Sequence, residues 1–129
     1  MENWLSSGGR TAILSRDLSW ANANTTTDIL SRKAADGELT LFVSSINEQC
    51  ERLADSGATV IEYGELDFTP RSRFTIIDFG KTGARVAIGS KEKGRHKISE
   101  YQEGMHPSFA LAEDCIKLLL ALKNPKNHI

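Results

Sequence analysis

The stretch Arg71-Ser72-Arg73-Phe74-Thr75-Ile76-Ile77-Asp78, followed after Gly80-Lys81-Thr82-Gly83 by Ala84-Arg85-Val86-Ala87-Ile88-Gly89-Ser90, decides how the chain is read. Both runs are apolar and β-branched enough to be interior strands, over 71–79 and 84–89. The link between them is too short for a crossover, so the pair is expected to be antiparallel.

Upstream, Thr11-Ala12-Ile13-Leu14-Ser15-Arg16, Leu41-Phe42-Val43 and Ala58-Thr59-Val60-Ile61-Glu62-Tyr63 read as strands separated by helical segments. The first helix is expected after the polar run Asn22–Thr27, with Asp28 in its first turn, Ile29, Leu30 and Ala34 inward, and Gly37 as a left-handed stop. Ser45-Ile46-Asn47-Glu48 has the pattern of a capping box opening a second helix, whose inner stripe is Cys50, Leu53 and Ala54 and whose end is Gly57. Residues 64–70 read as a connecting loop, and Arg95–Tyr101 alternates as a further strand would. Pro107 suits the first position of a last helix, in which Phe109, Ala112, Ile116, Leu119 and Leu120 recur at helical spacing. Two early strand–helix–strand units favour parallel pairing in the centre of the sheet. The expectation is an α/β domain: a mixed β-sheet flanked by helices on both faces. Residues 1–10 are a loose lead-in that includes Trp4 and Leu5, residues 11–124 form one domain, and 125–129 are a tail.

At 129 residues the chain suffices for one core without disulfides. Nothing approaches the roughly 20 apolar residues that span a bilayer, and Met1-Glu2-Asn3-Trp4 lacks the charged and apolar regions of a signal peptide. A cytoplasmic location without membrane partners is the default expectation. Cys50 and Cys115 have neither C-x-x-C spacing nor His at ligand spacing, so they read as small buried hydrophobes and no metal or other cofactor is implied.

Charge is unevenly placed. Residues 71–97 hold eight Lys or Arg against Asp78 and Glu92, a balance of +6; the remainder has eight basic and fifteen acidic residues, a balance of −7. A clustered positive field suits an anionic partner, while the bland alternative is a solvated loop at Lys91-Glu92-Lys93-Gly94-Arg95.

Letter by letter, Arg71 to Asp78 has the spacing of the phospholipase D superfamily signature H-x-K-x-x-x-x-D, with Gly89-Ser90 where the family has its Gly-Ser pair. The chain thus resembles one half of a phospholipase D-like fold over about residues 11–122. Arg71 stands where the nucleophilic His belongs and Arg73 where the Lys belongs. Arginine stays protonated and serves as neither nucleophile nor general acid. The gap from Asp78 to Gly89 is also longer than the family's. The resemblance therefore implies an anion site without a catalytic residue: Arg71, Arg73, Ser90 and Lys91 around a phosphate, Asp78 holding the turn or pairing with Arg85 or Lys81. Arg85, Lys93, Arg95 and Lys97 extend this as a nucleic-acid-binding surface at a strand edge. It further implies that the second half comes from a homodimer or a larger parent chain.

Three functional readings follow: a non-catalytic module binding nucleic acid or another phosphate-bearing ligand; a sensory or interaction module, such as a regulator's effector half, binding a small anion or a protein; and a weak phosphodiesterase or nuclease acting as a dimer. Only His96 and His106 are acid–base candidates for the last, and neither has a Ser or Cys partner at diagnostic spacing.

Overall fold

The computed structural model describes residues 9–16, 24–66, 72–92 and 94–123. In chain order these form β1 (Thr11–Leu14), α1 (Asn24–Ala35), β2 (Leu39–Val43), α2 (Glu48–Ser56), β3 (Thr59–Glu62), a short 3-10 turn (Gly64–Leu66), β4 (Arg73–Ile77), β5 (Arg85–Glu92), β6 (Arg95–Gln102) and α3 (Pro107–Lys123). One six-stranded mixed sheet results, in the order β3-β2-β1-β4-β5-β6.

The two βα units lay β1, β2 and β3 side by side in parallel, while β4, β5 and β6 form an antiparallel meander and β4 also runs antiparallel to β1. The parallel strands are thus one half of the sheet, not its centre. The β4–β5 ladder closes at Ile77 opposite Arg85, a longer link than Gly80–Gly83 alone. Asp78, Gly80 and Gly83 take positive φ angles within it.

Alternation along the strands sends successive side chains to opposite faces, with α3 packed on one and α1 and α2 on part of the other. On one face Leu14, Phe42, Phe74, Ile76 and Val86 meet Phe109, Ala112, Ile116 and Leu119 of α3. On the other, Ile13, Leu39, Leu41 and Val43 meet Leu30 and Ala34 of α1 and Cys50 and Leu53 of α2. This second cluster draws on β1, β2 and β3 only, with Val60 at its margin.

Several local expectations are corrected. α1 starts at Asn24, a turn before Asp28, so Asp28 is outside the first turn. The cap of α2 is Asn47, extended at φ −111° and ψ −178°, whose side chain accepts from the Cys50 amide at 2.9 Å. Ser45 lies outside the helix because Ile46 is held toward β3, donating its amide to Glu62 Oε2 at 2.8 Å. Ala54 is exposed; only Cys50 and Leu53 of the expected stripe are buried. Gly37 and Gly57 end α1 and α2 with positive φ. Cys115 is half-buried, and burial pushes its thiol up from the usual range.

Gly9 and Arg10, assigned to the lead-in by sequence, are tied to the sheet. The Gly9 amide donates to Asp78 Oδ1 at 2.9 Å, and the Gly9 carbonyl accepts from Lys33 Nζ at 2.8 Å and Thr11 Oγ1 at 2.9 Å. Arg10 accepts the Phe79 amide at its carbonyl, and its guanidinium sits 5.4 Å from the centre of the Phe79 ring. Trp4, Leu5, Trp20 and residues 124–129 lie outside the described residues.

Candidate nucleic-acid interface

The long hairpin of β5 and β6 is paired from Arg85 opposite Gln102 to Glu92 opposite Arg95. Just before Arg95, Gly94 has φ +79°. A side chain there would be strained, and this glycine lets the strands return in a tight turn. β4 accompanies β5 only as far as Arg73 opposite Gly89. Among the described residues no strand pairs with Ser90–Glu92 on that side, so residues 90–97 project past β4 as a two-stranded ribbon.

The ribbon is where the basic residues gather. Its register sets Ser90 opposite Lys97, Lys91 opposite His96 and Glu92 opposite Arg95. Lys91, Lys93, Arg95 and Lys97 stand against one acid, Glu92. Lys97 is exposed, on the outermost strand. Between Arg85 and Lys97 there is no Phe, Tyr or Trp.

The other sequence-derived site residues do not all join it. β4 lies between β1 and β5, so Arg73 is on an interior strand and not at a sheet edge. Gly89, not Ser90, is the position opposite Arg73. The half-buried Arg73 stem lies over that glycine: its Nε and Cγ would stand 3.0 and 3.2 Å from a β-carbon at position 89. Arg71 and Lys93 lie outside the described residues. The described part of β4 begins at Arg73.

Arg85 is at the far end of β5, six residues and about 20 Å from Lys91 at strand rise, and is therefore not part of the ribbon. It lines a separate hollow of about 410 Å³ with Glu100, Gln102, Met105 and His106. Asp78 follows the other end of β4 from Arg73. Its carboxylate accepts the Gly9 amide and its carbonyl accepts the Lys81 amide at 3.0 Å. Of the signature-like positions, Arg73 thus opens β4, Asp78 follows its other end, and Gly89 and Ser90 lie on β5.

His106 Nδ1 accepts the Ser108 amide at 3.0 Å, covering a free N–H at the start of α3, and its ring stacks on Tyr101 with centroids 4.4 Å apart. This is a capping role. His96 sits in the ribbon opposite Lys91. Among the described residues no three His, Cys, Asp or Glu side chains cluster to hold a metal ion, and no described helix is long and apolar enough to cross a membrane.

Sequence reasoning missed Lys33. Its side chain is 6% exposed, reaching Gly9 from α1. Burial pushes its ammonium below the usual lysine value, against the raising effect of Glu38, Asp78 and Asp36. Its only sequence signal was a basic residue in the last turn of α1, where the helix dipole accounts for it without a further role.

No family model, curated protein or solved structure matches this chain.

Proposed function

We propose that the chain is a non-catalytic nucleic-acid-binding module that engages duplex DNA with the β5–β6 ribbon. The observation that carries this reading is the overhang: residues 90–92 and 95–97 pair past the last β4 pair, and the sequence from 90 to 97 has four basic residues against one acid. The major groove of B-form DNA admits a two-stranded β-ribbon, and phosphates flanking the groove reward lysines and arginines along it. A single-strand binder stacks bases on aromatic side chains, and this ribbon has none of the three large aromatics. The reading includes no bond-breaking step, because Arg71 and Arg73 occupy the positions that a phospholipase D-like site gives to its His and Lys.

Fluorescence polarisation with a labelled duplex tests it. Neutralising three or four phosphates gives a log–log salt slope of roughly −3 to −4, at about −0.9 per phosphate. The double variant Lys93→Glu, Arg95→Glu is expected to abolish most binding at low salt and flatten the slope of what remains. Absence of duplex binding at low salt, salt-independent binding, or tighter binding to single strands of the same length would overturn the proposal.

A further inference from the structure

The face of the sheet that α1 and α2 cover over β1–β3 continues across β4, β5 and β6, where the described residues place no helix. There it forms a pocket of about 210 Å³. Its walls include Ile13, Thr75, Ala87, Gly89 and Ile98, with Arg73 along one side. These residues share a face by register: Ile13 is opposite Thr75, Thr75 opposite Ala87, Arg73 opposite Gly89, and Gly89 opposite Ile98. The lining is mainly apolar, and its outer rim is Ile98 on β6, 54% exposed.

Among the described residues that line the pocket, Arg73 is the charged one, and Glu100, opposite Ala87, follows Ile98 along the same face of β6. Its stem lies on Gly89 at close van der Waals range, which a side chain at position 89 would prevent. The guanidinium makes no hydrogen bond or ion pair among the described residues. A planar fork of donors in an apolar hollow is matched by a carboxylate, which accepts two parallel N–H bonds from it. A phosphate dianion would require more donors than the described lining offers, since the hydroxyl there besides the guanidinium N–H groups is that of Thr75, 4% exposed. The space corresponds to about seven water molecules at roughly 30 Å³ each, enough for a compact acyl or single-ring group.

From this geometry we infer a binding site for a small apolar monocarboxylate, its acid group held by Arg73 and its body resting on Ala87, Gly89 and Ile98. The site stands independently of the ribbon's reading: its residues lie on the core of β4–β6, and its ligand is not a polyanion.

The test is a titration of the ¹⁵N-labelled chain with benzoate and isovalerate, beside benzamide and inorganic phosphate. Both carboxylates are expected to bind saturably and to shift the amides of Thr75, Ala87, Gly89 and Ile98 before others. Arg73→Met is expected to weaken them roughly tenfold to a hundredfold, the range for a charge-assisted hydrogen bond. Ile98→Glu, at a position 54% exposed, places a like charge at the rim and is expected to fold as the parent does and to weaken them as well. The proposal is overturned if neither acid binds at millimolar concentration, if Arg73→Met binds as the parent does, or if benzamide or phosphate matches benzoate.

Discussion

Arg73 lies across Gly89: the guanidinium stem of one strand occupies the space above the bare α-carbon of the next, with Nε 3.0 Å from the position a β-carbon would take. Gly89 has none of the positive φ angles of the turn glycines, so its backbone accommodates any residue. What the glycine provides is room. Gly89→Ala is therefore expected to fold and to keep a stability within about 1 kcal/mol of the parent, the relief from glycine's backbone entropy offsetting the displaced stem. A loss of more than about 2 kcal/mol of unfolding free energy in urea would show that the Arg73 stem cannot move aside.

Gly57 presents the opposite case. It ends α2 with φ +124°, and a β-carbon there would run into the Ala34 carbonyl of α1. Backbone of α1 cannot swing away as an arginine side chain can. Gly57→Ala is expected to lose about 2 kcal/mol or more, from the strained φ and the clash together; urea denaturation measures it, and a neutral result would mean that the two helices separate freely.

Tyr63 is 1% exposed, and its hydroxyl donates to the Ser15 carbonyl at 3.1 Å, tying the end of β3 to the end of β1. Tyr63→Phe keeps the ring in the core and leaves that carbonyl without this donor. A loss of about 1 kcal/mol in urea is expected, and an unchanged midpoint would indicate that water replaces the hydroxyl.

Lys33 gives the fold a pH dependence. Its folded pKa lies below the ordinary lysine value of 10.5 because burial penalises the ammonium, with Glu38, Asp78 and Asp36 only partly opposing this. In the window just below 10.5 the unfolded chain holds the proton that the folded chain has released, so stability contributed by Lys33 rises with pH across it. Compared with Lys33→Met, the parent is expected to gain stability as pH rises toward 10.5. Thermal melts of both chains over that range are the measurement, and a difference that stays flat or falls with pH contradicts the assignment.

The elements were legible wherever hydrophobic spacing alone specifies them. Phe109, Ala112, Ile116 and Leu119 marked α3 because a helix repeats its buried face every three or four residues. The ribbon was harder to read. Residues Lys91–Lys97 are held by backbone pairing with almost no apolar alternation, so the same letters also fit a solvated loop. Proximity across the chain left no trace at all: Gly9 and Asp78 are 69 residues apart, and nothing in either neighbourhood signals that one holds the other. The same holds for Gly89, whose local sequence suggested Ser90 as the pocket residue until strand register put Gly89 opposite Arg73.

β1 is four residues long and is the strand through which the parallel and antiparallel halves of the sheet are hydrogen-bonded to each other. Each half forms from pairings between chain neighbours, but the β1–β4 ladder joins positions sixty or more residues apart, Leu14 with Phe74 at its closest. The halves are coupled by this ladder and by the core under α3, which packs Leu14 and Phe42 with Phe74, Ile76 and Val86. The Gly9 bridge between Lys33 on one side and Asp78 on the other doubles the seam just outside it. Weakening that bridge is expected to lower hydrogen-exchange protection first at the β1–β4 amides, the seam nearest to it.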